Sequence, residues 1–335
     1  MMKKLVKEEE LCDSLWDEIN KAREMSWRRF GKRIYFYAPG FTPYSNRYFK
    51  SSPTVFPSIS VTGPFCSLKC DHCGGVILKT MIPAATPSRL IDVCLDLKKR
   101  GAIGCLISGG CLPDGSVPIG RFIDAISEIK RKTGLTIVVH TGLVNFETAK
   151  RLKEAGVDAV SVDIIGSEDT SREIYHLNVK LDKYAETLEA LKRARVPFTP
   201  HVLIGLHYGN VRGELEALNI ISNYDPPALI FIIFFPIKGT KMEHVKPPPP
   251  EDAIKILVRA RFLMPNTPIV LGCARPKGPY RDKVDTLAIE AGVNAIAFPS
   301  LEAIEKAVEL ELKMTFSQVC CSQIHRDIYA PRDEI

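Results

Sequence analysis

The chain has 335 residues, 45% of them apolar, which is enough to bury a substantial core, so we expect a globular protein rather than a disordered one. Its 45 basic and 39 acidic residues give a net charge of +6, without the long basic block and interleaved aromatic residues that track nucleic acid. No uncharged apolar run of about 18 residues occurs, and acidic residues interrupt the N-terminal stretch where a signal peptide has an unbroken apolar core. We therefore expect a cytoplasmic protein that binds neither membrane nor nucleic acid.

The first predicted element is an N-terminal helix over residues 3–30, because Cys12, Leu15 and Ile19 fall on one side of it. After residue 55, short β-branched runs alternate with amphipathic helical stretches. Beyond residue 311 the chain becomes polar and ends without a further repeat. Eight of the β-branched runs are predicted as strands, over residues 57–62, 103–108, 136–140, 159–164, 198–204, 229–235, 268–272 and 294–298.

This alternation predicts the fold class. Strands too apolar to face water on either side indicate a parallel sheet covered by helices. Eight strand–helix units match a (β/α)8 TIM-type barrel, whose active site lies at the carboxyl ends of its strands. An open doubly wound sheet is the alternative, and it is disfavoured because no G-x-G-x-x-G turn follows the first strand. The predicted organisation is an N-terminal helical extension (1–54), the barrel (55–310) and a C-terminal extension (311–335).

The chain has ten cysteines, which is many for a reduced cytosol, where disulfides seldom persist. In that compartment clustered cysteines more often bind metal. A secreted disulfide framework is the alternative. We disfavour it because such frameworks replace a large core, which this chain does not lack.

Three of the cysteines are clustered. Residues 65–75 read FCSLKCDHCGG and place Cys66, Cys70 and Cys73 in the loop directly after the first predicted strand. Three thiolates on one short loop can hold three irons of a [4Fe–4S] cluster, which leaves the fourth iron open to a substrate or cosubstrate. A structural zinc site would need a second C-x-x-C pair, which the sequence lacks. Ordinary buried thiols would need an apolar site, which a polar loop does not offer.

This C-x3-C-x2-C motif, with His72 directly before its last cysteine, resembles the signature of the radical S-adenosylmethionine superfamily. The resemblance covers residues 55–300. It implies that S-adenosylmethionine chelates the fourth iron through its amino and carboxylate groups. Reductive cleavage, with an electron from a donor such as ferredoxin, then gives methionine and a 5′-deoxyadenosyl radical that abstracts hydrogen from the substrate.

Further positions resemble the superfamily's contacts to S-adenosylmethionine. Ser108, Gly109 and Gly110 end the second predicted strand and resemble the Gly-Gly-Glu turn that contacts the methionine amino group. This chain departs from the pattern in having Cys111 where Glu is usual, which leaves the backbone of the turn intact but not its side-chain contact. Two more contacts are implied at the ends of the fourth and fifth predicted strands: Asp163 for the ribose hydroxyls and Gly205 near adenine.

Five other cysteines are candidates for a second, auxiliary iron–sulfur cluster that would supply sulfur. Cys111 and Cys273 directly follow the second and seventh predicted strands, so they should face the catalytic mouth. Cys12, Cys320 and Cys321 lie in the terminal extensions, where a core contact of the helix and a buried thiol with its neighbour are the alternatives. Two more cysteines fall inside a predicted helix and strand and are expected in the core: Cys94 and Cys105.

The complete pattern resembles the biotin synthase-related group, since it includes FFPIKGT (234–240) and GCARPKGPYR (272–281). Within that group it most resembles the two-protein lipoyl synthase of archaeal type. The resemblance implies sulfur insertion into an octanoyl chain on a carrier protein or domain, with a second radical enzyme as partner. The N-terminal three-cysteine motif and C-terminal Arg-Ser-Ser-Tyr of the one-protein lipoyl synthase do not occur in this sequence. Arg275 is interpreted as a cluster ligand, a carboxylate anchor or a buried arginine paired with an acid.

Two other functions stay open. One is a different biotin synthase-like radical enzyme without an auxiliary cluster, which sulfurates a small molecule or acts as a mutase or methyltransferase. The other is a non-catalytic iron–sulfur scaffold. The scaffold is disfavoured because an open-iron loop at the mouth of a barrel is typical of catalysis.

Overall fold

The computed structural model describes residues 13–330, so Cys12 and the part of the predicted N-terminal helix before it lie outside the described residues. The strands are β1 (Arg33–Tyr37), β2 (Ser58–Ser60), β3 (Ile82–Pro83), β4 (Gly104–Ser108), β5 (Thr136–His140), β6 (Ala159–Asp163), β7 (Phe198–Ile204), β8 (Leu229–Ile233), β9 (Ile269–Leu271), β10 (Ala295–Ala297) and β11 (Lys313–Ser317). The helices are α1 (Asp13–Phe30), α2 (Pro87–Lys99), α3 (Ile123–Thr133), α4 (Phe146–Glu154), α5 (Glu168–Ile174), α6 (Asp182–Ala194), α7 (Glu214–Ser222), α8 (Pro250–Leu263), α9 (Pro279–Glu290), α10 (Leu301–Glu309) and α11 (Ile324–Asp327).

All of these strands form one parallel sheet in the order β11-β1-β10-β9-β8-β7-β6-β5-β4-β2-β3. The eight predicted strands are β2 and β4 to β10, and they follow one another across the sheet in chain order, each joined to the next by a segment that contains a helix. The predicted fold class, a TIM-type barrel sheet covered by helices, is confirmed. Three strands were not predicted: β1 and β11, which extend the sheet beyond β10, and the two-residue β3.

Each central strand packs one face against the helices and the other into the barrel interior. In β5, Ile137 and Val139 belong to the helix-facing core, whereas Val138 belongs to the interior cluster. Successive side chains of a strand point to opposite faces, so His140 shares the interior face with Val138. The C-terminal ends of the strands therefore present inward side chains at one mouth.

The C-terminal segment fills part of this interior. After β11 pairs with β1, the chain turns inward through a short 3-10 helix, Cys321–Gln323, and α11. The Ser322 hydroxyl lies 3.1 Å from that of Ser161 on β6, and the Tyr37 hydroxyl donates to Asp327 at 2.8 Å. The sequence predicted a polar extension here, but the segment contributes a strand and a buried turn. Within residues 13–330 no helix has both the length and the apolar character that crossing a bilayer requires.

Candidate active site

The three-cysteine loop (residues 65–75) lies at the carboxyl end of β2 and is folded by local hydrogen bonds. Ser60 Oγ donates to the carbonyl of Gly63 at 2.6 Å, and Thr62 Oγ1 donates to the carbonyl of Phe65 at 2.8 Å. Both bonds turn the chain back over the strand end. This placement agrees with the predicted position of the cysteines at the catalytic mouth.

The three thiols converge without forming a disulfide. Cys70 is buried, Cys66 and Cys73 are half-buried, and the charges of Cys66 and Cys73 both act on Cys70. A hydrogen bond with Cys70 lowers the pKa of the Cys73 thiol to about 4, against the effect of burial and with help from His72. The same hydrogen bond raises the pKa of Cys70. The loop thus favours a thiolate, which is the form that binds iron.

This arrangement fits a cluster better than a single ion. With metal–ligand bonds of about 2.0–2.3 Å, one ion holds its ligand atoms within about 4.6 Å of one another. Within the loop, Cys70, His72 and Cys73 offer ligand atoms that all lie within 4.8 Å of one another, and Cys66 stands outside that group. In a cubane each thiolate binds a different iron, so a wider spacing is expected. The residues present therefore fit the predicted [4Fe–4S] cluster.

Partners far away in sequence hold the loop from outside. The Asp71 carboxylate accepts from His176 Nε2 at 2.7 Å and from Lys241 Nζ at 2.8 Å. The ring of His72 packs 5.2 Å from that of Tyr175. Asp71 was not predicted as a site residue. Its two partners follow α5 and β8, far from it in the sequence, and no local motif indicates that they pair with it.

The glycine turn after β4 lies directly against the loop. The backbone N–H of Gly110 donates to Thr62 Oγ1 at 2.7 Å, and the hydroxyl of Ser108 donates to the carbonyl of His140 at 3.4 Å. A Cβ on Gly110 would lie 2.0 Å from the carbonyl oxygen of Phe65. Only glycine allows so close an approach, which agrees with the predicted role of this turn beside the cofactor.

A cavity of about 320 Å³ lies between the loop and the turn. It is lined by Thr62, Pro64, Phe65, Cys66, Ser67, Lys69, Gly74, Gly75, Gly110, Cys111 and Leu112. Cys111 replaces the usual Glu at this cavity, and its carbonyl accepts from the backbone N–H of Ser67 at 2.8 Å. Burial, followed by the charge of Cys66, raises the pKa of the Cys111 thiol to about 12. Cys111 therefore accompanies the loop cysteines.

The interior cysteines form a separate group (Cys273, Cys320 and Cys321). Cys320 and Cys321 are 8% and 5% exposed and share one apolar cluster, against which Cys273 packs. Burial and the charge of Cys320 raise the pKa of Cys273 to about 11, while a hydrogen bond with Cys321 lowers the pKa of Cys320 to about 7. The structure therefore brings together three of the five predicted auxiliary ligands. It places Cys111 with the other group, and Cys12 lies outside the described residues.

Between the two cysteine groups lie three polar side chains on adjacent strands: His140, Asp163 and His201. The distance from His140 Nε2 to Asp163 Oδ1 is 3.4 Å, and the two imidazole rings are 5.7 Å apart. Burial opposes ionisation of Asp163, but the positive charge of His140, a hydrogen bond with the same side chain and the charge of His201 lower its pKa to about 2. Burial lowers the pKa of His201 to about 4. Asp163 lies at the end of β6, where the resemblance expects a ribose contact, but the two histidines were not predicted as site residues.

Gly205 follows β7 in a left-handed conformation, with φ at +75°. Its N–H donates to Glu214 Oε1 at 2.7 Å, and a Cβ on it would lie 2.5 Å from Pro248. Burial raises the pKa of Glu214. The backbone N–H of Gly205 is thus already bonded to the Glu214 carboxylate. The expected contact of Gly205 with adenine stays a prediction.

Arg275 is a buried structural residue. Its guanidinium forms a two-pronged pair with Asp285, at 2.6 and 2.8 Å, and neither side chain is exposed. The remaining donors reach the carbonyls of Gly272, Ala297 and Phe298. The interpretations of Arg275 as a cluster ligand or a carboxylate anchor are therefore wrong, because every donor is already used. The predicted core positions of Cys94 and Cys105 are confirmed, since both are fully buried.

Comparison with known proteins adds two family matches. The model of the Radical SAM superfamily matches residues 60–218, and that of the Biotin and Thiamin Synthesis associated domain matches residues 231–316. A biotin synthase of Leptospira interrogans (strain Fiocruz L1-130) is 23% identical over 243 residues, which are 69% of this chain and 66% of that protein. The biotin synthase of Cenarchaeum symbiosum (strain A) is 26% identical over 239 residues, which are 69% of this chain and 73% of that protein.

Two solved structures share the fold. The superposition on methylornithine synthase has a TM-score of 0.61 at 18% sequence identity and covers 91% of this chain and 90% of the other. The superposition on a maturase of the [FeFe]-hydrogenase has a TM-score of 0.64 at 16% sequence identity and covers 95% of this chain and 71% of the other. At these identities the likeness concerns the fold alone.

Proposed function

Because this chain belongs to the radical S-adenosylmethionine superfamily, in its biotin synthase-related group, we propose that it inserts sulfur into an unactivated carbon chain. The observation that carries this proposal is the pair of cysteine groups at one mouth of the barrel. One group is the three-cysteine loop, and the other is the interior group of Cys273, Cys320 and Cys321. Sulfur insertion needs a radical and a sulfur source, and two separate cysteine groups meet that need.

In this proposal Cys66, Cys70 and Cys73 hold the [4Fe–4S] cluster and the interior group holds the auxiliary one. When bound, the first cluster and S-adenosylmethionine supply a 5′-deoxyadenosyl radical, using one electron from a donor such as ferredoxin, and the second cluster supplies sulfide. The chain's own residues position these partners. Asp71 fixes the loop through its two cationic neighbours, and Gly110 lets the turn lie against it. Each C–S bond formed would replace one C–H bond: the hydrogen atom leaves in 5′-deoxyadenosine, and the irons of the auxiliary cluster would accept the second electron of the oxidation.

The proposed substrate is an octanoyl group linked to a lysine of a small carrier protein or domain. With this substrate the protein would be a lipoyl synthase component. The choice of substrate rests on the sequence resemblance to the two-protein lipoyl synthase. In that type of enzyme a second radical enzyme acts as partner. The net charge of +6 suits an acidic carrier, since complementary charge favours encounter. The biotin synthase relatives support the coarser reaction, sulfur insertion.

The test uses anaerobically reconstituted protein, S-adenosylmethionine, a reductant and an octanoylated carrier domain, with and without the partner enzyme. Mass spectrometry should find sulfur added to the octanoyl chain and 5′-deoxyadenosine formed in proportion. The same carrier bearing an acetyl group is the matched control and should gain no sulfur. Formation of 5′-deoxyadenosine on the octanoylated carrier without any sulfurated product, by protein with both clusters loaded, would contradict the proposal.

A second candidate is a biotin synthase-like radical enzyme without sulfur insertion, such as a mutase or methyltransferase. It is favoured by the position of Cys111, which lies with the loop and leaves three cysteines in the interior group among the described residues. Such an enzyme would hold one cubane. An iron content of about four per reconstituted chain supports it, whereas about eight supports sulfur insertion.

A further inference from the structure

We propose that His140, Asp163 and His201 form a mononuclear site for a divalent transition metal ion, separate from both cysteine groups. One ligand atom from each residue lies within 4.8 Å of the other two. Two imidazoles and one carboxylate are the donor set of many mononuclear iron(II) sites, and imidazole also suits zinc and cobalt. This site goes beyond the proposed sulfur insertion and does not depend on it.

Strand register builds the site. The parallel strands β5, β6 and β7 are neighbours, and Asp163 pairs directly with His201 across β6 and β7. His140 pairs with Ser161, which is two residues before Asp163 and therefore on the same face of β6. Three adjacent strands thus point one ligand each into the interior. Ligands carried on strands are held more precisely than ligands on loops.

A second observation concerns the orientation of His201. Its Nδ1 lies 3.1 Å from the backbone carbonyl of Thr199, so the ring donates from Nδ1 and keeps the lone pair of Nε2 free. Metal-binding histidines usually donate their other ring N–H to a carbonyl or carboxylate, which fixes the tautomer and the ring orientation. The chain therefore prepares His201 as a ligand before any ion arrives.

The alternative is a plain ion pair between His140 and Asp163, and the structure records a long one. Their closest atoms are 3.4 Å apart, whereas the Asp71–His176 pair in the same protein closes to 2.7 Å. Charge-assisted hydrogen bonds are typically about 2.7–2.9 Å long. Ligands of a tetrahedral ion with bonds of about 2.0–2.1 Å lie about 3.3–3.4 Å apart. The observed separation is therefore long for a direct charge-assisted hydrogen bond and equal to the spacing of two ligand atoms on one ion.

The position of the site suggests what a bound ion would meet. The charge of His72 in the three-cysteine loop lowers the pKa of Asp163, and the charge of Cys320 in the interior group raises the pKa of His140. The ion would thus lie between the two groups. Three protein ligands leave coordination positions open to water or to an oxygen atom of a substrate. A carboxylate has two oxygens, so Asp163 can bind an ion through one and a ribose hydroxyl through the other.

The test is a cobalt(II) titration of the cluster-reconstituted protein under anaerobic conditions, followed by visible absorption. We expect one added cobalt per chain, with the weak bands of nitrogen and oxygen ligation. His201→Asn and Asp163→Asn should each weaken binding by about tenfold or more, since even an outer partner of a metal ligand is worth about 10–100-fold. The matched control is His244→Asn, because that histidine is 92% exposed, and it should leave cobalt binding unchanged.

Equal cobalt affinity in the wild type and both site variants would overturn the proposal. If a variant fails to fold, as its melting curve would show, X-ray absorption of the cobalt-loaded wild type replaces it. Nitrogen and oxygen neighbours alone support the site. Sulfur neighbours would place the ion on cysteines and overturn it.

Discussion

The three-cysteine loop and the barrel interior both gather cysteine, histidine or aspartate side chains, residue types that can bind metal, but they are encoded in opposite ways. The loop gathers Cys66, Cys70 and Cys73 from eight consecutive positions, and turns within the same segment fold it. The interior assembles residues from position 140 to position 321, and strand register together with the inward C-terminal turn brings them together. A site encoded locally can be recognised from its motif, whereas a dispersed site becomes visible only once the sheet is in place.

The two regions also differ in how they are supported. Ion pairs from outside hold the loop, through Asp71 with His176 and Lys241. The interior is enclosed by apolar strand faces, and the buried Arg275–Asp285 pair lies beside it, where Arg275 donates to the carbonyl of Gly272. We therefore expect changes in the loop to act on radical formation, and changes in the interior to act on what the radical does.

The largest effect should come from Cys70→Ser. Loss of one of three cluster ligands should reduce S-adenosylmethionine cleavage by more than about 100-fold, because even outer partners of metal ligands are worth about 10–100-fold. The measurement is 5′-deoxyadenosine formation together with the iron content. A reconstituted variant that still cleaves S-adenosylmethionine at the wild-type rate would remove Cys70 from the cluster.

Cys273→Ala should separate the two regions. We expect S-adenosylmethionine cleavage to stay within about twofold of wild type while sulfurated product disappears, because the loop is unchanged and the proposed sulfur source is lost. The matched control is Cys105→Ala, which removes a fully buried core thiol and should leave both reactions. Sulfurated product from the Cys273 variant would exclude that residue from the sulfur source.

Gly110→Ala should act on the loop through packing. The new Cβ would lie 2.0 Å from the carbonyl of Phe65 and 2.6 Å from the Cα of Cys66, so the loop must move. A displacement of about 1 Å at a reacting centre costs about 100-fold in rate. Gly120→Ala is the control, because nothing lies within 4 Å of its Cβ position. Equal rates of 5′-deoxyadenosine formation in the two variants would show that the close approach does not matter.

The smallest effect is expected from Asp71→Asn. This residue touches no cofactor in the account, and it positions the loop by pairing with His176 and Lys241. Removing its charge should speed the loss of iron to a chelator by about tenfold, in line with other residues that orient metal ligands. Asp124→Asn, at a carboxylate that is 94% exposed, is the control. Unchanged iron retention with normal folding would show that the ion pairs of Asp71 do not hold the cluster in the loop.

The strands of the barrel could be predicted because β-branched apolar runs separated by amphipathic helices have few other interpretations. The strands β1 and β11 escaped prediction for different reasons. β1 is a single aromatic run that precedes the repeat, while β11 lies at the edge of the sheet with partly exposed side chains. Both are defined by their pairing rather than by their own pattern, since β1 pairs with β10 and β11 pairs with β1.

The candidate site likewise has a part that a local motif predicts and a part that only long-range strand pairing brings together. The loop cysteines and the glycine turn were predicted from short motifs, and the structure places them side by side. His140 and His201 look like ordinary strand residues in the sequence, because neither has a ligand-like neighbour nearby in the chain. Their proximity follows from a register that only long-range pairing decides. For Arg275 the sequence left three interpretations open, and the structure selects the buried arginine that pairs with an acid, Asp285.

The measurement that tests this account most directly is the iron content of the anaerobically reconstituted chain, compared with that of a variant with alanine at Cys66, Cys70 and Cys73. If the two regions hold separate cubanes, the wild type should carry about eight irons per chain and the triple variant about four. A mononuclear ion would add one to either number and would not blur the distinction. About four irons in the wild type and none in the triple variant would contradict the account, because the interior cysteines would then hold no cluster.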